Sequence, residues 1–388
     1  MVAAILVALN MRPAVTSVAA VLDDAARVLG LGPIEVTVLA ALPVIAFGAS
    51  APIGPRLARS FGAERVLLWS MLTLAVALLL RVLVPVLLLR VLVPVLLLPG
   101  TFLAGAAIMA AGTLLPQYLK SIRATGLQVG LSSMSFGVGA ALGAAVVVPV
   151  STLTGGDVRV PWGLWAGLAV LAAVPLLVRL QVRGRDARTG SKPTLRFTRA
   201  SVTTIVLLTA VFSLQAMLYF AVTAWMPQFL ASHGHGTAER GGLLSWFSVA
   251  GFVPTLLIPL LTSRPQVLRW VAPALGALIA AGLCALFLAQ PSEVVWVVGG
   301  LGAVQSAAFG LAIALIVSMS ADPVTAGVVS AIAQGAGYAV AGIGSLLIGL
   351  LHSGTGRWAP SFAVMVAVAL VLSAVTAYAI RRPRVSLT

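Results

Sequence analysis

Long uninterrupted apolar stretches constrain this chain more than any other feature of its sequence. Stretches of roughly 20 residues, the length that a helix needs to cross the hydrocarbon of a bilayer, recur from one end to the other. They alternate with short segments that hold most of the charged residues. Apolar residues make up 60% of the chain and charged residues 9%, whereas a soluble domain has about 25% charged residues. The sequence therefore predicts an all-α membrane protein surrounded by a lipid bilayer.

The apolar stretches predict twelve transmembrane helices. Their approximate bounds are 2–22, 34–54, 66 onward, a fourth stretch ending near Pro116, 126–150, 161–180, 201–229, 241–262, 268–289, 293–318, 326–351 and 360–380. The longest polar segment, 181–199, separates the sixth stretch from the seventh. We therefore expect two six-helix bundles, at 1–180 and 200–388, joined by a cytoplasmic linker at 181–199.

The basic residues predict the orientation of the chain. Of the 24 Lys and Arg residues, 17 fall in segments that the twelve-helix scheme places in the cytoplasm and six in segments that it places outside, with Arg12 left within a stretch. Cytoplasmic loops of membrane proteins carry such an excess of basic residues. We expect both termini in the cytoplasm and a cytoplasmic membrane of the bacterial type. Because the same bias explains the net charge of +15, we expect no nucleic-acid partner.

The nine residues 81–89 are repeated without change at 90–98. Such identity indicates a tandem duplication and not a structural repeat, which needs several copies of a larger unit. The twelve-helix scheme places Arg81 and Arg90 in the outside segment after the third helix. Proline in both copies favours a turn or a helix start. The duplication therefore lengthens either the external turn or the end of a helix.

The polar residues offer no catalytic arrangement. All nine acidic residues fall at loops or at the ends of predicted helices. No nucleophile–base pair and no metal-ligand spacing falls within a helix. The single cysteine, Cys284, cannot build a disulfide framework. We therefore expect neither an enzyme nor a cofactor or metal.

Arg12 is the basic residue that falls within a predicted helix. It lies about 15 Å into the first stretch, near the middle of the hydrocarbon. A charge at this depth costs roughly 2.5–3.5 kcal/mol on insertion scales, and no acid lies at the same depth to pair with it. Arg12 either bonds neighbouring helix carbonyls or faces a water-filled cavity, and function is the usual role of such residues. A cation in a cavity favours an anionic or electron-rich substrate.

Six further polar side chains lie near the middle of the first, seventh, tenth and eleventh predicted helices. They are Asn10, Gln215, Tyr219, Gln305, Gln334 and Tyr338. The glutamine and tyrosine of the seventh helix are four residues apart, as are those of the eleventh, so each pair shares a helix face. Each side chain either makes an interhelical hydrogen bond or contacts a solute. Their shared depth favours a substrate site that they form with Arg12 at the midplane between the two bundles.

Four segments carry a resemblance to a known family. They are Leu9–Val18, similar to an N-x-R-P-A signature, Leu115-Pro116 followed by Lys120, Trp225-Met226-Pro227, and Gln334–Tyr338, which reads Q-x-x-G-Y. Over its whole length the chain resembles the cyanate and 2-nitroimidazole transporter (CynX/NimT) family of the major facilitator superfamily. The resemblance implies that superfamily's fold of two pseudo-symmetric six-helix bundles. It also implies a secondary transporter of small solutes.

The segment between the second and third helices departs from the superfamily's pattern, which usually reads G-x-L-A-D-R-x-G-R-R. Here Arg59 stands where that pattern has its acid. We expect a short charged gating loop that includes Arg56, Arg59, Gly62 and Arg65. Any gating salt bridge of this loop must therefore use residues other than the usual acid.

These features together predict a secondary active transporter that moves a small anionic or polar organic solute by alternating access. Because no acid is embedded in a predicted helix, the mode of coupling stays open between uniport and a proton carried on the substrate. A multidrug efflux transporter is the alternative, and it would need a wider and more aromatic cavity. A membrane sensor would need a soluble domain, which no loop is long enough to hold. We expect a monomer whose partners are the solute, protons and lipid.

Overall fold

A computed structural model describes residues 1–20, 33–87, 93–155, 159–182 and 196–387. Within these ranges every regular element is a helix, apart from one isolated bridge between Ser320 and Val385. Ten of the described helical stretches are long and apolar enough to cross a membrane, and the shorter stretch Val2–Val18 is apolar as well. The all-α membrane architecture that the sequence predicts is confirmed.

The described helices fall before and after the segment 183–195. Those before it are α1 (Val2–Asn10), α2 (Pro13–Ala20), α3 (Pro33–Ser50), α4 (Ile53–Phe61), α5 (Ala63–Leu87), α6 (Val93–Ser121), α7 (Gly126–Leu153) and α8 (Arg159–Val182). Those after it are α9 (Arg199–Ser232), α10 (Thr237–Ala250), α11 (Phe252–Leu257), a 3-10 turn (Ile258–Ser263), α12 (Pro265–Leu288), α13 (Val294–Met319), α14 (Pro323–Thr355) and α15 (Trp358–Ala379).

The chain forms two compact units. The first, here the N-terminal unit, consists of Met1–Ile122 and Ser135–Thr194, and the second, the C-terminal unit, consists of Arg123–Met134 and Leu195–Thr388. Helix α7 therefore contributes its first nine residues to one unit and the remainder to the other. Most of the predicted linker lies outside the described residues, and the domain bounds predicted from the sequence remain a proposal.

The first apolar stretch is broken in the middle. Helix α1 ends at Asn10 and α2 begins at Pro13, so the first predicted span is interrupted at this proline. Proline lacks an N–H group, and its ring clashes with the carbonyl four residues earlier, here that of Leu9. Two glycines of α7, Gly139 and Gly143, lie directly against the break, where a Cβ atom would collide with backbone or side-chain atoms. This G-x-x-x-G spacing lets α7 approach the broken stretch closely.

The prediction of a charged loop between the second and third membrane helices is also wrong. Arg56 and Arg59 lie on α4, which buries Ala58 and exposes both arginines. Apolar and charged residues that alternate at helical spacing form an amphipathic helix instead of a loop. The helix ends at Gly62, whose φ of 84° lies in the left-handed region that favours glycine. Arg65 belongs to the first turn of α5.

The predicted end of the fourth span needs correction as well. Helix α6 continues through Pro116 to Ser121, so the fourth span does not end at this proline. Membrane helices tolerate internal proline, because neighbouring groups satisfy the freed carbonyl. The eighth predicted span, 241–262, corresponds to the apolar stretch Glu239–Ser263, which consists of α10, α11 and the 3-10 turn.

The duplicated segment extends two helices. Residues 81–87 form the last turns of α5, and residues 93–98 form the first turns of α6. The position of Arg81 in an external turn is therefore wrong, because this residue lies within α5. Arg90 lies outside the described residues.

Helices α9 and α14 form the core of the C-terminal unit. Three glycines of α14 each face a bulky side chain of α9, and the pairs are Gly337 with Phe212, Gly344 with Met217, and Gly349 with Trp225. The Trp225 indole also donates a hydrogen bond of 2.8 Å to the carbonyl of Ser345 on α14. The glycine stripe therefore seats large residues of α9 and brings the two helices close together.

The segment Pro383–Leu387, here the C-terminal strap, is bonded to the C-terminal unit. Val385 donates to the carbonyl of Met319 at 2.7 Å and accepts from the N–H of Ala321 at 2.8 Å. Val385 and Leu387 are fully buried. Further hydrogen bonds tie the strap to the first turns of α9 and α14. The strap therefore links the ends of three helices of this unit.

Candidate functional site

The break between α1 and α2 carries two of the predicted site residues. Asn10 is buried, and its Nδ2 donates to the carbonyls of Leu6 at 2.8 Å and of Leu168 on α8 at 3.1 Å. Both hydrogens of the amide are thereby used. Asn10 therefore links α1 to α8 through an interhelical hydrogen bond.

Arg12 lies in the two-residue connection between α1 and α2 and is half-buried. The carbon at the centre of its guanidinium is 4.5 Å from the centroid of the Phe136 ring on α7. A cation over an aromatic face is stabilised by the ring quadrupole, and more so where water is excluded. Because the chain is not helical at this residue, the arginine sits where a membrane helix is discontinuous, a common location of solute sites in transporters.

The segment that carries the predicted gating residues contains one acid, Glu64, and this acid forms a salt bridge. Arg179 Nε on α8 lies 2.7 Å from Glu64 Oε1 on α5. Arg56, Arg59 and Arg65 are exposed. This salt bridge joins the first turn of α5 to the last turn of α8, and the gating role of the arginines stays a prediction.

The C-terminal unit brings the predicted glutamines of α9 and α13 together. Gln215 Nε2 lies 3.5 Å from the main-chain carbonyl of Gln305, at the limit of a hydrogen bond. Gln305 is completely buried, and neither of its side-chain polar atoms has a hydrogen-bond partner in the described part of the chain. The Oε1 atom of Gln215 also lacks one. Buried polar atoms without partners are rare in proteins and costly in a membrane interior.

The third glutamine, Gln334 on α14, is bonded within its own helix. Its Nε2 donates to the hydroxyl of Ser330 at 2.7 Å. Gln334 therefore differs from Gln305, because its amide has a short hydrogen bond in place.

Both predicted tyrosines belong to a continuous series of aromatic contacts in the same unit. In order of contact, the six members of this aromatic series are Phe309, Phe212, Tyr338, Phe220, Tyr219 and Phe247. The distances between successive ring centroids run from 5.7 Å for Tyr219 and Phe220 to 6.3 Å for Phe212 and Phe309. Such pairs prefer edge-to-face geometry, as three of the five contacts show. The four phenylalanines were not anticipated, because only the fold shows that their helices are neighbours.

One buried cation was missed by the sequence analysis. Arg81 is 2% exposed and ranks among the largest fully buried side chains. Its Nη1 donates to the carbonyl of Ala14 on α2 at 2.9 Å. Its position near the end of an apolar stretch gave no signal of burial, because that depends on the packing of α2 against α5.

Comparison with known proteins identifies the class of protein. Residues 1–342 match the model of the Major Facilitator Superfamily, and the chain belongs to this superfamily of membrane transporters. The prediction that it is not an enzyme is confirmed, since this family consists of transporters.

The similar proteins show the type within the superfamily. The chain is 30% identical to the uncharacterized transporter YycB of Bacillus subtilis (strain 168), over 95% of this chain and 90% of the relative. It is 27% identical to the 2-nitroimidazole transporter of Escherichia coli (strain K12), over 91% and 88% of the two chains. It is 28% identical to the cyanate transport protein CynX of the same organism, over 91% and 90%. The resemblance to the CynX/NimT type is thereby confirmed.

Solved structures show the same fold at low sequence identity. The proton:xylose symporter XylE matches with a TM-score of 0.76 and 14% identity, over 96% of this chain and 93% of that one. The transporter FucP matches with a TM-score of 0.74 and 13% identity, over 98% and 97%. The prediction of the superfamily's fold is confirmed.

Proposed function

We propose that the protein moves a small anionic or polar organic solute across a bacterial cytoplasmic membrane by alternating access. The solute would contact Arg12, the Oε1 atom of Gln215 and the unpartnered amide of Gln305. In this proposal the protein is a multi-pass monomer with both termini in the cytoplasm.

The observation that carries the proposal is the unpartnered amide of Gln305. A fully buried amide without hydrogen bonds costs about 1–3 kcal/mol relative to a satisfied one. An apolar residue at this position would avoid that cost, and α13 is apolar apart from Gln305, Ser306 and Ser318. The cost is offset if a polar solute bonds the amide during the transport cycle, which is the usual reason for a polar group inside a membrane protein. Gln215 would supply the neighbouring acceptor through its Oε1.

Arg12 supplies the preference for negative charge. Its guanidinium offers donors in a fixed fork that suits carboxylates and similar planar anions. The contact with Phe136 holds this fork at the helix break. Relatives are named for cyanate and for 2-nitroimidazole, and both compounds suit such a site, because cyanate is an anion and the nitro group accepts hydrogen bonds.

The coupling mode follows from where the described acids lie. Glu239 lies in the first turn of α10, Glu293 and Asp322 cap α13 and α14, and Glu64 is in the first turn of α5. None of these four described acids lies in the middle of a helix, so they cannot form a carboxylate relay across the membrane. The proposal therefore allows uniport, or transport of the solute with its own proton.

The test is a thermal-shift screen on purified protein with cyanate, small carboxylates and 2-nitroimidazole, set against lipophilic cations. Stabilisation by the anions and the nitroheterocycle, lost in Gln305→Leu, supports the proposal. Stabilisation by lipophilic cations alone contradicts it. Uptake into liposomes with and without an imposed pH gradient then separates uniport from proton-linked transport.

Multidrug efflux stays as the second candidate, because the aromatic series is the one feature that favours it. Contacting rings can accommodate flat ligands of varied shape. Efflux predicts binding of many unrelated aromatic compounds with little effect from Arg12→Ala. The first proposal predicts a narrow ligand range that depends on Arg12.

A further inference from the structure

Arg81 is a buried cation that the proposed transport site does not use. Arg81 lies near the carboxyl end of the membrane-spanning stretch Ala63–Val82. Side chains of a helix lean toward its N-terminus, so the guanidinium lies deeper in the stretch than the Cα atom. Its side chain is 2% exposed. The charge of Arg81 is therefore shielded from water inside the N-terminal unit, to which α5 belongs.

The partners of Arg81 satisfy only part of this charge. The bond to the Ala14 carbonyl uses one of the five N–H groups of the guanidinium, and Nε has no partner in the described part of the chain. Glu64, on the same helix, is 17 residues away, about 25 Å at 1.5 Å per residue, and it binds Arg179. A buried cation that meets only a neutral carbonyl is strongly destabilising unless a counter-charge reaches it.

Two further buried donors near Arg81 also lack partners. Ser17 lies one helical turn after Ala14, and its hydroxyl has no hydrogen-bond partner among the described residues. The indole Nε1 of Trp162 on α8 has none either. Trp162 and Val18 belong to one apolar cluster, and Val82, the neighbour of Arg81, packs against it. Helices α2, α5 and α8, which carry these three donors, therefore meet at this cluster.

The chemistry of this junction is one-sided. An arginine and an indole can only donate hydrogen bonds, and a serine hydroxyl can donate as well. A site of donors with one full positive charge suits a small anion that accepts several hydrogen bonds. The surrounding cluster is apolar, which favours a weakly hydrated anion over a strongly hydrated one.

We propose that Arg81, Ser17 and Trp162 form a second anion site, which takes a small monovalent anion. This site is separate from the proposed solute site at Arg12 and does not depend on it. The anion is either an inorganic ion such as chloride or a small organic anion on its way through the protein.

The test measures thermal stability of the purified chain at constant ionic strength, with gluconate replaced by chloride, bromide or cyanate. We expect the small anions to raise Tm by about 3 °C or more in the wild type. The chloride and bromide shifts should persist in Arg12→Gln, shrink in Arg81→Lys and vanish in Arg81→Gln. Trp162→Phe, which removes one donor and keeps the ring, should weaken the anion effect several-fold.

Two results would overturn the proposal. One is a chloride or bromide shift that survives in Arg81→Gln. The other is the absence of any shift in the wild type together with a fall in Tm in Asp23→Asn, Asp24→Asn or Glu35→Gln, whose side chains lie outside the described residues, because an acid would then neutralise Arg81. If Arg81→Gln does not fold, bromide soaked into wild-type crystals decides, since anomalous density beside Nε supports the site and its absence rejects it.

The source of the anion is separated by competition. If chloride is the natural occupant, cyanate and chloride stabilise the wild type additively, and cyanate still stabilises Arg81→Gln through Arg12. If the site takes the organic anion, cyanate displaces bromide from the wild type. Loss of solute binding in Arg12→Gln with an intact halide shift would show that the two sites fail independently.

Discussion

The guanidinium of Arg12 lies 4.5 Å from the centre of the Phe136 ring, at the point where the first membrane stretch is broken. The Phe136 ring stabilises the guanidinium of Arg12 without neutralising its charge. The planar guanidinium fork of Arg12 suits a small planar anion, so we propose that this pair contributes to the solute site.

Substitutions at this pair should therefore change transport more than folding. Arg12→Ala should abolish uptake, and Arg12→Lys should retain only a small part of it, because lysine lacks the planar fork. Phe136→Leu should weaken solute binding by about 1 kcal/mol, the order of a partly desolvated cation–π contact. Uptake into liposomes and thermal stability are measured together.

The matched control for these variants is Arg264→Ala, which removes an exposed arginine of the C-terminal unit. It should leave uptake and stability unchanged. Equal uptake in wild type, Arg12→Ala and Arg12→Lys would reduce Arg12 to a structural residue.

Gln305 provides a prediction in which stability and function move in opposite directions. Gln305→Leu should raise the free energy of unfolding by about 1–3 kcal/mol, because it removes a buried amide that has no partner. The bond that Gln215 donates is unaffected, since it ends on the main-chain carbonyl of residue 305. Uptake should fall at least tenfold.

Gln334→Leu is the control for this experiment. It should lower stability by about 1 kcal/mol, because the amide is bonded to Ser330 and the buried hydroxyl would lose its partner. If both leucine variants lose stability equally, the Gln305 amide has a partner in the folded protein and the proposed role fails.

The sequence predicts those features of the fold that depend on local chemistry. Apolar length decides whether a stretch crosses a bilayer, and this requires no knowledge of neighbours. The depth of Arg12 and of the glutamines follows from position alone. The charge density around Arg59 favours a loop, whereas the helical spacing of Ala58 and the arginines favours the helix that the structure has.

Features that depend on neighbouring helices could not be predicted. Pro13 breaks its helix, whereas Pro116 is accommodated within α6, although the two residues are chemically identical. The difference lies in what packs beside them, since glycines of α7 approach the first break. The burial of Arg81 and the roles of Asn10 and of the aromatic series likewise depend on which helices are adjacent.

Close packing against the break gives a prediction for α7. A Cβ at Gly139 would overlap the carbonyl of Leu9, which is backbone and cannot move aside easily. Gly139→Ala should therefore lower stability by about 1–3 kcal/mol through overpacking, and should reduce uptake by displacing Arg12.

Gly167→Ala serves as the control, because a Cβ there meets no atom within 4 Å. It lies on α8 of the same unit, and it should stabilise the helix by up to about 1 kcal/mol. Melting curves of both variants, followed by fluorescence-detected gel filtration, compare them directly. A Gly139→Ala variant as stable as Gly167→Ala would show that α7 does not pack closely on the break.

The C-terminal strap should contribute to the stability of the C-terminal unit, although it lies after the last membrane helix. Val385 is fully buried and exchanges backbone hydrogen bonds with Met319 and Ala321. Val385→Asp would place a charge in this apolar position and should lower the free energy of unfolding by about 2–4 kcal/mol.

Truncation after Arg384 should have a similar effect, because it removes the same bonds. Arg384→Ala changes an exposed neighbour and should be neutral. Thermal unfolding and limited proteolysis after α15 measure both effects, and equal stability of the truncated and full-length chains would show that the strap is not bound in solution.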